Sequence, residues 1–356
     1  MRIAILCGGE SPERDVSLAS GGSVARALLE RGHEVLLVDP AAETPVLAGP
    51  LRPGDAVQEC TVGKEPPSGL GRRLLKQRMD AALAGGPDGP DGPVLGLLRE
   101  ADLVFLALHG GRGEDGWVQG RLHEAGVRFT GANGTACKAA WHKERAQAVL
   151  GAAGLPVPER ALWQPGTDEV PHDVQRLLAA GPVVVKPVAD GSSVSVHRAD
   201  SLAELERIAA GMRAGEGELL VEPFLPGREF TVAVVGDQVL PVVEIELNTP
   251  LFDYAARYRP GAVSEVCPAR IPAEFASRLQ ELALRAHEAL GFDAHTYSRT
   301  DFRCDAAGEP LCLEVNALPG LTATSLLPLA ASGAGWTYAD LIQRIADLAT
   351  TPRDTP

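Results

Sequence analysis

The chain has 356 residues, 45% apolar and 22% charged, the proportions of a soluble globular protein with room for two or three domains. Its formal net charge of -14 argues against nonspecific binding to nucleic acid or to an anionic membrane, so any bound polyphosphate must be held by a local cluster of cations. No apolar run approaches the length of a membrane span, and the six cysteines are scattered without a CxxC, which argues against a zinc site or a disulfide framework and fits reduced thiols in a cytoplasm.

Arg2–Cys7 reads as a first strand, its apolar run too short for a signal peptide. Gly8–Asp15 is a loop, Val16 to about Glu30 a helix, and Val35–Val38 the next strand. This βαβ rhythm predicts a parallel sheet with its ligand at the C-terminal strand ends. The loop after the first strand, Gly8–Asp15, holds no GxGxxG, so this βαβ unit does not carry a dinucleotide fingerprint. The loop after the first strand carries Glu10, Glu13 and Asp15, which suit a cationic group such as an amine. Helix capping accounts for Asp15 and less well for Glu13. Residues 41–100 carry no chemistry; Leu70–Leu83 suggests a helix, and Gly85–Pro93 is a low-complexity surface loop.

Leu103–Leu108 is a strand running into His109-Gly110-Gly111-Arg112-Gly113-Glu114-Asp115-Gly116, a Gly-rich turn at a strand's C-terminal end and so a site location. On its own His109 reads as a structural hydrogen bonder. A helix follows from about Trp117 to Glu124, and residues 134–150 read as one helix containing Lys143. Val183–Pro187 is a strand that ends on Lys186, followed by a Gly/Ser loop through Ser192 and Ser193 and a strand Val194–His197. A lysine before such a loop can cradle phosphate with its charge and the loop's N–H and hydroxyl donors.

Ser201–Ala214 is a helix, Leu219–Glu222 a strand, and Glu229–Val235 turns at Gly236-Asp237 into a strand Val239–Leu247. Asn248–Val263, with Tyr254, Arg257 and Tyr258, reads as a lid. Residues 273–290 form a core-facing helix, 324–331 and 338–348 closing helices, and 349–356 a tail.

Between these helices lie Arg299-Thr300-Asp301-Phe302, a turn at Asp305–Pro310, and Glu314-Val315-Asn316-Ala317-Leu318-Pro319-Gly320. Alternation puts Arg299 with Asp301, and Glu314 with Asn316. If the strands pair with those faces matched, Asp301, Glu314 and Asn316 converge as three oxygen ligands. A set without sulfur or imidazole suits a hard cation, best Mg²⁺, which bridges phosphates. Arg299 beside them suits an oxyanion. Cys304 and Cys312 face each other across the hairpin, but regular alternation sets their sulfurs on opposite faces.

Taken together these pieces resemble the D-alanine–D-alanine ligases of the ATP-grasp superfamily. The resemblance is carried by Glu13–Leu18, His109-Gly110 with Gly113–Gly116, Phe129-Thr130-Gly131, Lys186-Pro187 with Gly191–Val194, and Glu229–Val232. Phe252–Tyr258, Arg299–Phe302 and Glu314–Thr322 complete it, in order and over nearly the whole chain except about 41–100. It implies an ATP-grasp α/β fold, α+β in part, with a parallel-sheet domain in front. The expected division is 1–141 for substrate binding, 142–222 as a small lid domain, 223–352 as the catalytic domain and 353–356 as a tail.

The resemblance implies ATP-dependent joining of two D-alanines through an acyl phosphate, for peptidoglycan precursors, in a cytoplasmic homodimer without nucleic-acid or membrane partners. Lys143, Lys186, Ser193 and Arg257 would hold ATP phosphates, Glu222, Pro223 and Leu225 the adenine, and Glu229 the ribose. Asp301, Glu314 and Asn316 would hold two Mg²⁺, with Mn²⁺ as a substitute. Glu13, linked through Ser192 to Tyr258, would take the first ammonium. Arg299 and the Gly320 backbone would stabilise the tetrahedral oxyanion. His109, Ser325 and Leu326 would border the substrates, the last two at the second carboxylate. Several positions depart from the family pattern. Arg257 replaces a usual Lys and Pro223 another, Trp141-His142 a usual Met-Asp, and Ser195 a glycine. Ligation of other amino or hydroxy acids, and ATP binding without catalysis, are the alternatives. Tyr258, usually lost in ester-forming relatives, favours an amine nucleophile.

Overall fold

The computed structural model describes residues 1–58, 69–84, 92–166, 169–191, 195–212, 217–247 and 263–351. The lid segment expected at 248–263 therefore lies outside the described residues except at Val263, as do Ser192, Ser193, Arg257 and Tyr258.

The first sheet is built from β1 (Arg2–Leu6), β2 (Glu34–Val38), β3 (Val46–Leu51) and β4 (Leu103–Leu106), in the order β3-β2-β1-β4. β1 pairs in parallel with β2 and β4, and its Ile3–Leu6 run is fully buried, as expected of a parallel strand covered on both faces. α1 (Arg14–Glu30) crosses from β1 to β2. It lies so close to the sheet that a Cβ on Gly21 would sit 2.7 Å from the Cys7 Cβ. β3 lies in a part of 41–100 where no strand was expected. It is an antiparallel edge strand holding Pro50, and largely exposed, so no hydrophobic alternation marks it. α2 (Gly69–Ala84), α3 (Pro93–Leu98) and α4 (Trp117–Glu124) complete this part.

The single helix expected over 134–150 is two. α5 (Gly134–Trp141) starts on the Asn133 side chain, which accepts from the Thr135 and Ala136 N–H groups. His142 leaves the helix with φ -91 and ψ 97, and α6 (Lys143–Ala152) restarts at once, its Arg145 N–H capped by the imidazole. The break makes Lys143 a first-turn residue.

The second sheet, β5-β8-β6-β7, is wholly antiparallel: β5 (Ala161–Trp163), β6 (Val183–Pro187), β7 (His197–Ala199) and β8 (Leu219–Pro223). α7 (His172–Ala180) and α8 (Leu202–Gly211) pack on it through Val174, Leu177, Leu205 and Ile208. β7 begins at His197, where the sequence pattern put a strand's end; Ser195 forms a turn instead.

The third sheet runs β12-β11-β9-β13-β14, with β10 on β9. Its strands are β9 (Glu229–Val235), β10 (Gln238–Val239), β11 (Val243–Leu247), β12 (Val263–Val266), β13 (Tyr297–Cys304) and β14 (Pro310–Asn316). The strand expected over 239–247 is interrupted at Leu240–Val242, where Pro241 has no N–H for a ladder. α9 (Ala273–Ala289) covers one face, its Phe275 ring edge-on to Phe230 at 5.7 Å. α10 (Leu326–Gly333) and α11 (Tyr338–Thr350) join the other face to the first sheet in one continuous core. Leu341, Ile342 and Ile345 of α11 are at most 1% exposed. Burial of such side chains stabilises by about 1.5–3 kcal/mol each, which fixes the two sheets, and the loops between them, relative to one another.

Candidate active site

The β13–β14 hairpin forms one wall. Asp301 stands directly opposite Glu314 and Arg299 opposite Asn316, so the acids share a face. Register slips between Asp301 and Phe302: Phe302 pairs with Cys312, and Leu313 is the extra residue of a bulge. The bulge corrects the expectation for the cysteines. It turns Cys312 to the face of Phe302 and Cys304, and all three join the apolar core under α9. Both thiols are nonetheless free.

Arg299 is 6% exposed and grips Asp301 with both ends of its fork, Nε to Oδ1 at 2.8 Å and Nη2 to Oδ2 at 2.7 Å. Thr231 Oγ1 adds a third donor to Asp301 at 2.6 Å. Burial opposes the guanidinium charge, but Asp301, Glu314 and Glu114 hold its pKa above the ordinary value. The Glu314 side chain is about a third exposed and lies 3.7 Å from Lys143 Nζ. Asn316 Oδ1 accepts from the Leu318 N–H at 3.0 Å. Among the described residues no three His, Cys, Asp or Glu side chains cluster for a metal. Two carboxylates and an amide oxygen, each with lone pairs to spare, still make an oxygen-only set that fits a hard cation retaining waters.

The facing wall comes from loops at the ends of β1 and β4. Buried Asp39, at the end of β2, ion-pairs with Arg14 and accepts from the Gly9 N–H at 3.1 Å. Gly8, at φ +78, has no room for a side chain: a Cβ would lie 2.5 Å from the Asp39 carboxyl carbon. Ser11 donates to the His109 carbonyl at 2.5 Å and accepts from the Glu13 N–H at 3.1 Å, fixing the turn. Glu10 is spent on the neighbouring turn, where it accepts from the Arg112 N–H. The Glu13 carboxylate sits between two glycines. A Cβ on Gly110 or Gly191 would lie 2.8 or 2.5 Å from its Oε2.

His109 is buried, with Nδ1 3.1 Å from the Leu318 carbonyl and Nε2 2.9 Å from Ser20 Oγ. A carbonyl only accepts, so Nδ1 carries a proton, and in the neutral ring Nε2 then accepts from Ser20. The ring thus ties α1 to the loop leading to Gly320, the structural role its sequence context suggested, while also lining the cavity. Glu114, part of the Gly113–Gly116 motif but without an expected role of its own, is the other acid here. Its Oε1 accepts from the Gly110 N–H at 3.0 Å. Burial, then the Glu13 charge, push its pKa up to about 8. Its sequence signals are that motif and its place inside a glycine-rich turn at a strand end.

Lys143, at the start of α6, donates from Nζ to the Asp190 carbonyl at 2.5 Å, and its N–H donates to Val188. It therefore spans the loop after β6 and Glu314. Lys186 and Glu222 are both buried and meet at 2.7 Å. Burial alone would depress the Lys186 pKa, but Glu222 and Glu314 hold it above the usual value. Pro223 ends β8, Leu225 is buried just beyond, and Glu229 pairs with Arg303 at 3.3 Å.

At the far end Ser325 stands at the N-cap position of α10 without capping it, its hydroxyl accepting instead from the Thr322 N–H at 3.2 Å and lying where a Cβ on Gly320 would approach to 2.9 Å. Ser325, Leu326 and Gly320 line a cavity of about 340 Å³ with Glu13, His109 and Arg299. Glu13, Glu114, Arg299 and Asn316 also wall an adjoining space of about 50 Å³, reached by Lys143 and Glu314. The arrangement sets cations and carboxylates at one end, and a helix N-terminus at the other, of a cleft with room for small molecules.

Models of the D-ala D-ala ligase N-terminus and C-terminus match residues 2–132 and 149–347. The D-alanine--D-alanine ligase of Oleidesulfovibrio alaskensis is 37% identical over 351 residues, 98% of this chain and 96% of that one. Among solved structures, D-alanine--D-alanine ligase from Bacillus anthracis superposes with a TM-score of 0.76 at 26% identity, over 98% of this chain and 97% of that one. The same enzyme complexed with ATP gives 0.74 at 24%, over the same shares. VanG D-Ala:D-Ser ligase from Enterococcus faecalis gives 0.72 at 25%, over 98% and 99%.

Proposed function

This chain belongs to the D-alanine–D-alanine ligase family, and from that premise we propose that it joins two D-alanines at the expense of ATP, releasing ADP and phosphate, for peptidoglycan precursors. The first carboxylate attacks the γ-phosphorus, ADP leaves, and an acyl phosphate forms. The second amine attacks the acyl carbon, phosphate departs, and the nucleophile's extra proton is lost.

Lys143, Lys186, Ser193 and Arg257 hold the phosphates. Glu222 accepts from the adenine amino group, the Pro223 carbonyl and Leu225 N–H read the ring edge, and Glu229 takes the ribose. Pro223 keeps the carbonyl this needs and loses only an N–H. Glu13, with Ser192 and Tyr258, holds the first ammonium. Arg299 and the Gly320 N–H stabilise the oxyanion in a buried, preorganised setting. Ser325 and Leu326, at the N-terminus of α10, receive the second carboxylate, with His109 bracing the loop between. Asp301, Glu314 and Asn316 would hold Mg²⁺, which neutralises charge on the phosphates during transfer.

The chain divides into 1–141, 142–222 and 223–352 with a tail at 353–356, and the enzyme acts as a cytoplasmic homodimer. Three separate sheets support the division, and no described helix is long and apolar enough to cross a membrane. The observation that carries the reaction is Arg299 gripping Asp301 directly across from Glu314, with Glu13 on the facing wall of the same cleft.

The test is purified protein with ATP, Mg²⁺ and a panel of D-amino acids, read by phosphate release and product mass. D-Alanyl-D-alanine with one phosphate per dipeptide is expected. Phosphate with another partner, such as D-serine, would reassign the second site, and no phosphate with any amino acid would reject the ligase reading.

A further inference from the structure

Gln147 is wholly buried on α6, one turn beyond Lys143 and so on the same helix face. Its Nε2 donates to Glu222 Oε1 at 2.5 Å and to the Leu313 carbonyl at 3.0 Å. Both neighbours are acceptors, so reversing the amide would set oxygen against two oxygens. The orientation leaves Oε1 buried without a hydrogen-bond partner among the described residues. A buried amide that spends both hydrogens and strands its oxygen calls for an explanation.

Glu222 is the residue whose other oxygen pairs with Lys186. Leu313 is the bulge residue beside Glu314, and its carbonyl is taken up by Gln147. One side chain therefore joins α6, the end of β8 and the bulge of β14.

We propose that Gln147 is a positioning residue for base recognition. It holds the Glu222 carboxylate with its remaining lone pairs directed to the exocyclic amino group of adenine, and it ties that group to the strand carrying Glu314. The inference rests on the proposed function, in which ATP is the co-substrate and Glu222 meets its amino group. A guanine would present a carbonyl oxygen to the fixed carboxylate and be repelled, so Gln147 supports selection of ATP over GTP.

Gln147→Met removes both donors while keeping the length of the side chain. The KM for ATP should rise about tenfold, as for a lost hydrogen bond to a charged group, with kcat and the KM for D-alanine little changed. The preference for ATP over GTP should shrink by a similar factor. A merely structural role would lower the melting temperature and leave both nucleotide quantities where they were, and that result would overturn the proposal. Combining Gln147→Met with Glu222→Gln should add little to Glu222→Gln alone, because one residue acts through the other; additive effects would also overturn it. If Gln147→Met does not fold, Gln147→Leu removes both donors without setting an oxygen against Glu222 or the Leu313 carbonyl. ATP affinity by calorimetry then gives the same reading: weakened binding supports the proposal and unchanged binding refutes it. Wild-type protein that binds no ATP would defeat the proposed function itself, whereas wild type and variant binding ATP equally would defeat only this inference.

Discussion

Arg299 and Asp301 sit two residues apart on one face of β13, joined by two parallel hydrogen bonds of 2.8 and 2.7 Å with the arginine almost fully buried. A planar fork makes that contact; an ammonium makes only half of it. Arg299→Ala should lower kcat by roughly 10²–10³, as for loss of an oxyanion-hole donor. Arg299→Lys should recover only part of that loss. Steady-state kinetics checks both, and unchanged turnover in the alanine variant would remove Arg299 from the chemistry.

Glu314 lies across the ladder from Asp301, and among the described residues its carboxylate meets only the Lys143 ammonium, 3.7 Å away. Glu314→Ala should abolish Mg²⁺-dependent turnover and leave the fold intact, since the side chain is about a third exposed and packs in no core. A Mg²⁺ titration of activity, paired with a thermal melt, separates the two effects. Near-normal activity at ordinary Mg²⁺ would count against a metal held here.

Glu114 makes stability depend on pH. Its folded pKa is raised to about 8 by burial and by Glu13, from an unperturbed 4.5. The folded state therefore keeps a proton that the unfolded chain gives up above pH 4.5. This contribution is fully present in acid and is lost as pH rises towards 8, at no more than about 1.4 kcal/mol per unit. Glu114→Gln, neutral throughout, should melt higher than wild type at pH 8 and close to it at pH 4.5, measured without metal or nucleotide. An equal difference at the two pH values would contradict the assignment.

Gly191 has room for nothing larger, because a Cβ would stand 2.5 Å from Glu13 Oε2. It is not in the left-handed region, so an alanine there meets a contact and no backbone strain. Gly191→Ala should raise the KM for D-alanine and cut kcat/KM by about tenfold or more, with the melting temperature shifted only slightly, since the cost falls on a binding group rather than on a core. Wild-type kinetics in this variant would show that Glu13 is free to move away.

The cleft's charged wall was legible because its signals are local. Alternation puts Arg299 with Asp301 and Glu314 with Asn316, and the paired register then brings Asp301 opposite Glu314. What stayed hidden depends on contacts between distant segments or on a single inserted residue. The Leu313 bulge reverses the facing of Cys312 without any change of composition. The break at His142 depends on an imidazole cap that a continuous helical pattern masks. Asp39, Glu114 and Gln147 acquire their roles only when β2, β4 and α6 bring them to partners far along the chain. β3 is exposed and carries a proline, so it leaves no periodic pattern to read.

The central claim is that the carboxylate of one D-alanine attacks the γ-phosphate. Turnover of carboxyl-¹⁸O-labelled D-alanine with unlabelled ATP tests it most directly, with the released phosphate read by mass. Transfer of one labelled oxygen from the first substrate to each phosphate is the predicted result. Phosphate free of label while the dipeptide accumulates would contradict the acyl-phosphate route.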